Sequence, residues 1–255
     1  MCWSGEASAV LACAGFATAG YAAYQREPAP LWLALFYFSM MEALQAFTYS
    51  VIDECALPSN QIATLLGYLH ITFQPFFINM LSLYFVPAAV RKKIAVWVYG
   101  ACFISAIVMI IQLFPFEWAG QCDPLRPLCA ERLCSVSGSW HIAWEVPANG
   151  LGNYLVRLSE PLTGSGFPSY GYPTYVLTWL VLPLLYGSWR VTLFHYVMGP
   201  FLARMTTDNL NEWPAVWCLL SIGILMIVVK TPLRERLHVR RWFWWPKAWR
   251  VPLPR

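Results

Sequence analysis

Five residues able to share protons or hydrogen bonds interrupt two otherwise apolar stretches. They are Glu42 and Gln45 in "SMMEALQAFTY", and His70, Gln74 and Asn79 in "LHITFQPFFIN". A carboxyl group and an imidazole in contact can exchange a proton, and neighbouring amides can orient a polar solute. On a helix, Glu42 shares a face with Gln45, and His70 shares one with Gln74. Pro75 removes a backbone hydrogen bond and frees a carbonyl beside the group. An ionised carboxylate away from water costs several kcal/mol unless it is solvated, protonated or partnered, so Glu42 requires an explanation.

The elements that hold these residues belong to a membrane protein. The chain has 255 residues, 58% hydrophobic and 12% charged, with a mean hydropathy of +0.50 and a formal net charge of +4. Apolar runs of bilayer-crossing character cover about 7–24, 31–50, 62–87, 94–114 and 173–188, and the last is 214–229. "RVTLFHYVMGPFLARM", with Gly199 and Pro200, reads as a short sixth helix over 190–204. The rival is one long helix over 173–203 and six spans. Charge decides between them: with seven spans, Arg26, Arg91, Lys92, Lys93, Arg190 and the cations from Lys230 to Arg255 share one side. Only Arg126, Arg132, Arg157 and Arg204 fall on the other, so the first side is cytoplasmic.

The expected fold is therefore an all-α, seven-transmembrane helical bundle with its N-terminus outside and its C-terminus cytoplasmic. Residues 1–230 form the span domain, with a long cysteine-containing outer loop over about 115–172. Residues 231–255 form a basic, Trp-rich tail lying along the inner membrane surface. "MCWSGEASAV" lacks a basic leading region, so the first run reads as a retained helix rather than a cleavable signal peptide. Its small residues Ala12, Gly15 and Ala19 suit close helix packing.

Depth follows from about 1.5 Å of rise per residue. Glu42 lies about 16 Å from the inner side and His70 about 15 Å from the outer side, which puts both near the midplane of a core about 30 Å thick. Spans two and three are antiparallel neighbours, so a Glu42–His70 contact is expected, within a midplane pocket of Glu42, Gln45, His70, Gln74 and Asn79. The structural alternative is that the pair simply locks two helices.

Cysteines test the orientation. Cys2, Cys55, Cys122, Cys129, Cys134 and Cys218 fall at or near the outer side, where oxidising conditions permit disulfides. Their connectivity stays open, a Cys2–Cys218 bridge being one pairing. The spacing of "CDPLRPLCAERLC" lacks the close pairs of a structural zinc module. His70, His141, His195 and His238 occupy four different levels, so no metal site is expected. No cofactor is predicted either, although His70 alone could ligate a haem with a non-histidine partner.

In the outer loop, "HIAWEVP" puts His141 and Glu145 at i, i+4, an acid/base or weak metal pair if the segment is helical, although an ordinary hydrogen-bonded interfacial cap is the favoured role. Trp118, Trp140 and Trp144 suit the headgroup level, and a short interfacial helix is expected near 150–160. Asp208 and Glu212 lie on the same side, with Asn211 and Pro214 opening the last helix.

The motifs "MCWS", "MMEALQ", "FQP", "HIAWEV" and "WC" occur in that order. In them the chain resembles an uncharacterised, multi-pass integral membrane protein family of bacteria and large DNA viruses whose members begin Met-Cys-Trp. The resemblance covers residues 2 to about 230. It singles out Cys2, Trp3, Gln74, Pro75, His141, Trp144, Trp217 and Cys218 and implies no particular activity. The viral relatives carry the acidic residue and glutamine of span two in swapped order and lack the three-cysteine loop.

The expected function is small-solute or proton-coupled binding or transport through the polar pocket, in a bacterial inner membrane. The alternatives are an accessory or assembly subunit of a larger membrane complex, or a membrane-embedded enzyme acting on a lipid or isoprenoid. The expected partners are the lipid bilayer, a small-molecule ligand or such a complex, and not nucleic acid. The catalytic residues and substrate are not specified by any motif, and no GxxxxGK[ST], HExxH or GxSxG is present.

Overall fold

The computed structural model describes residues 2–163 and 172–249. Residues 164–171 of the expected outer loop, and the tail end with Arg250 and Arg255, lie outside the described residues.

Four long helices come first: α1 (Gly5–Tyr24), α2 (Ala29–Tyr49), α3 (Pro58–Tyr84) and α4 (Ala88–Ile111). A hairpin of β1 (Cys134–Ser137) and β2 (Ile142–Glu145) and the helix α5 (Leu151–Thr163) follow. Next come α6 (Pro173–Leu185) and α7 (189–206), each with one wide π-turn, at Leu177–Val181 and Val197–Phe201. The last are α8 (Trp213–Lys230) and a short α9 (Leu233–Leu237).

Each boundary has a local cause. Ser4 caps α1 by accepting from Ala7 N at 3.3 Å. Proline stands in the first turn of α2, α3 and α6, where a missing N–H costs nothing. Between α6 and α7 the chain turns back through Gly187 at φ 97°, a left-handed backbone that glycine adopts without strain. A Cβ there would lie 2.7 Å from Trp245 and 2.8 Å from Trp242. Two helices, rather than one over 173–203, are the result.

Three of these helices, α1, α2 and α4, are long and apolar enough to cross a bilayer; α6 and the Trp213–Gly223 part of α8 are shorter apolar helices. α3 has 27 residues but carries the polar residues that lower its apolarity.

α2 and α3 pack together and α8 closes against α1 and α2. The small face of α1, Ser8, Ala12, Gly15, Ala19 and Ala22, is buried. Gly15 sits so close to α2 that a Cβ would lie 2.1 Å from Ser39 Oγ. Leu31, Leu35, Met41 and Ile222 form the fully buried centre.

The segment between α4 and α5 departs from the all-helical expectation. Its antiparallel hairpin pairs Cys134 with Glu145 and Ser137 with Ile142. Disulfides join Cys55 to Cys134 and Cys122 to Cys129. Cys2 and Cys218 are free, one exposed and the other buried, so the Cys2–Cys218 bridge does not form. Asn60 ties the hairpin to α3, donating to Ser135 O at 2.9 Å and accepting from Ser135 N at 2.9 Å.

Candidate functional site

Along one face of α2, Glu42, Gln45 and Tyr49 follow at i, i+3 and i+7, a helical stripe. Glu42 is 0% and Gln45 1% exposed. Both carboxyl oxygens of Glu42 and both amide atoms of Gln45 are buried without a hydrogen bond. Ser8 of α1 faces the carboxyl; its oxygen accepts from Trp3 Nε1 at 2.8 Å, which leaves its own hydroxyl proton to point toward Glu42. Tyr49 and Cys218 of α8 complete its electrostatic surroundings.

The stripe continues into the β1–β2 hairpin. His141 Nδ1 lies 3.0 Å from Tyr49 Oη and accepts from Ile142 N at 2.8 Å. Because Nδ1 accepts from a backbone amide, the neutral ring carries its proton on Nε2, a tautomer assigned from the hydrogen bonds. That Nε2 is buried and unpartnered. Burial pushes His141 down to about 3, against an opposing pull from Glu212. The rings of Trp3 and Trp140 stack with centroids 5.9 Å apart, and Trp3 lies 6.0 Å from His141.

Glu212 fixes the hairpin tip above this stripe. Its carboxylate accepts from Ser139 N at 2.6 Å, Ser139 Oγ at 3.1 Å, Trp140 N at 3.0 Å and His141 N at 3.1 Å. Successive N–H groups converging on one anion form a nest. Burial alone would raise this carboxyl, but the backbone donors of His141, Ser139 and Trp140 outweigh it and hold the group below its ordinary range. Gly138 is required here, since a Cβ would lie 2.3 Å from the carboxylate.

The structure distributes the five expected pocket residues over three faces. Glu42 and Gln45 lie with α1 and α8. Gln74 and Asn79 turn toward α6: Tyr175 Oη donates to Gln74 Oε1 at 2.6 Å, and Gln74 Nε2 is buried without a partner. Asn79 donates to Pro75 O and Thr178 O, both at 2.8 Å, and accepts from Tyr186 Oη at 3.0 Å. The Thr178 carbonyl is available because the π-turn shifts its backbone donor to Pro183, which has no N–H.

His70 faces an open groove with Leu66, Phe73, Phe76 and Phe77. Its ring stacks on Tyr37 at 3.9 Å, and the expected Glu42–His70 contact is not formed. Tyr37 and Glu42 are five residues apart, which on a helix separates them by about 140°. Depth placed the two residues at one level, but azimuth placed them on different sides.

The conditional helical pairing of His141 with Glu145 does not form. Glu145 belongs to β2, where four residues span about 13 Å, and it bonds to Arg132 at 2.7 Å. Trp144 is 2% exposed, packed on Gly67 rather than at the headgroup level. Trp118, by contrast, is 62% exposed. Of the outer acids, Asp208 is exposed and Glu212 is buried. Ser8, Tyr49 and Tyr175 carry no sequence signal beyond their polarity in apolar runs. Separately, Tyr175, Trp179, Trp217, Leu128 and Pro200 help to line a cavity of about 80 Å³.

No group of three or more potential metal-binding side chains occurs among the described residues. No curated protein and no solved structure is detectably similar to this chain. Over residues 6–238 its sequence matches the family of unknown function DUF5765, and the chain belongs to that family.

Proposed function

We propose that this chain is a seven-span protein of the bacterial inner membrane that handles protons along the stripe from His141 through Tyr49 and Gln45 to Glu42. The observation that carries the reading is the run of unpartnered buried polar atoms on Glu42, Gln45 and His141. Each such atom costs about 1–3 kcal/mol if nothing ever satisfies it. A site that exchanges protons or hydrogen bonds with a solute turns that cost to use.

The orientation rests on chemistry at the two ends. Both disulfides lie at the end that holds Asp53, Glu145 and Glu212, and disulfides persist in oxidising compartments. Lys92, Lys93, Arg190, Arg240 and Arg241 lie at the other, the pattern of a cytoplasmic side.

Proteoliposomes enclosing a pH-sensitive dye test the activity. The wild-type chain is expected to dissipate an imposed pH gradient. Glu42→Gln, nearly isosteric and unable to ionise, is expected to lose that flux while keeping its thermal unfolding midpoint. Undiminished flux in Glu42→Gln, or no flux in the wild type, overturns the reading.

A further inference from the structure

The tail after α8 is bound to several helices at once. Val239 N donates to Phe85 O at 2.9 Å, at the end of α3. The indoles of Trp242 and Trp245 donate to Leu185 O at 3.2 Å and Tyr186 O at 3.1 Å, at the end of α6. Arg234 bonds Glu27 Oε2 at 2.7 Å and the Tyr84 hydroxyl at 2.6 Å. These bonds give the tail an inner and an outer side. Trp245 is 4% exposed, whereas Phe243 and Trp244 are 62% and 61% exposed. Arg240, Arg241 and Lys247 are exposed around them.

A second segment extends this surface. The start of α4 shares an apolar cluster with the tail, through Val90, Val98 and Trp245. On its outer side Lys92 and Lys93 are exposed, and Trp97 is 79% exposed one turn farther on. Among the nearby acids, Glu27 is already paired with Arg234, which leaves Glu235 exposed.

We propose that Arg240, Arg241, Lys247, Lys92 and Lys93 form a binding surface for anionic phospholipid of the surrounding bilayer, with Phe243, Trp244 and Trp97 set among the headgroups. Aromatic rings favour the headgroup level, and cations beside them attract anionic lipid. The arginine guanidinium groups can take a phosphate through paired N–H donors, which the lysines cannot. A headgroup held here would also clamp the α6–α7 turn, because Trp242 and Trp245 of the same segment pack over Gly187. The inference rests on the membrane-spanning topology proposed above, but not on proton handling by the Glu42 stripe.

The test places the full chain in nanodiscs of phosphatidylcholine alone, or of equal parts phosphatidylcholine and phosphatidylglycerol. Retained lipid is read by native mass spectrometry and the unfolding midpoint by melting. Phosphatidylglycerol is expected to be enriched on the protein and to raise the midpoint, less so in high salt. Retention should weaken about fivefold for each cation removed. Arg240→Ala/Arg241→Ala/Lys247→Ala and, independently, Lys92→Ala/Lys93→Ala are expected to lose enrichment while keeping their midpoint in phosphatidylcholine.

Equal retention of the two lipids by the wild type, or unchanged enrichment in both variants, overturns the proposal. Stabilisation by inorganic phosphate in phosphatidylcholine nanodiscs assigns the surface to free phosphate and overturns it too. Proton flux is measured in separate vesicles, so failure of the proton reading leaves this result standing.

Discussion

At the scale of single residues, His141 is buried as a neutral ring. His141 is neutral because Nδ1 accepts from a backbone amide while burial opposes a second proton. Its folded value of about 3 lies below the ordinary 6.5, so the unfolded chain binds the extra proton first. Stability is therefore fully present above about pH 6.5 and declines as pH falls toward the folded value. The slope reaches about 1.4 kcal/mol per pH unit. Glu212, whose value is depressed, loses its contribution only at lower pH, and because the unfolded chain protonates all four histidines at about pH 6.5, the share of His141 is the difference between wild type and variant. Denaturant unfolding between about pH 6.5 and pH 5 is expected to show a shallower slope for His141→Gln than for the wild type. Equal slopes would exclude a buried neutral His141.

At the scale of elements, the α6–α7 hairpin concentrates local irregularities that support one another. The π-turn of α6 and Pro183 release the Thr178 carbonyl, and Asn79 of α3 takes it up. Gly187 then reverses the chain beneath two indoles. Gly187→Ala is expected to destabilise by at least about 1–2 kcal/mol, the cost of a left-handed backbone with a Cβ. The added steric conflict with Trp242 should loosen the tail as well. Limited proteolysis of the tail beside thermal melting checks this: a variant that melts and resists cleavage like the wild type would refute it.

At the scale of the whole molecule, the two ends are chemically opposite. One end is closed by a hairpin, two disulfides and the buried carboxylate of Glu212; the other is a platform of cations and aromatic rings. The Cys55–Cys134 bond closes a separation of 79 residues, and chain-entropy estimates put such a closure at roughly 4–5 kcal/mol. Cys55→Ser/Cys134→Ser is expected to lower the denaturant midpoint by an amount approaching that figure. Cys122→Ser/Cys129→Ser, closing a separation of 7, should lower it less. The reverse order would show that the outer hairpin is held by its hydrogen bonds with Asn60 and Glu212 rather than by the long closure.

Helical placement was legible in the chain because apolar length and proline or glycine punctuation are local properties. The expected runs 7–24 and 31–50 correspond to Gly5–Tyr24 and Ala29–Tyr49, whereas the break before α7, expected from charge bias, is made by the backbone at Gly187. The position of Glu42 as a buried carboxyl was legible as well, since such a group in an apolar run is conspicuous in any fold. Its neighbours were not, because rise per residue gives depth but not the rotation of one helix against another. Packing of small residues such as Gly15 on Ser39 turned Glu42 toward α1 and α8, while stacking on Tyr37 turned His70 outward. The outer hairpin was likewise decided in three dimensions. Its cross-strand bonds, the Cys55–Cys134 closure and the nest around Glu212 join residues far apart in sequence, beyond the reach of local periodicity.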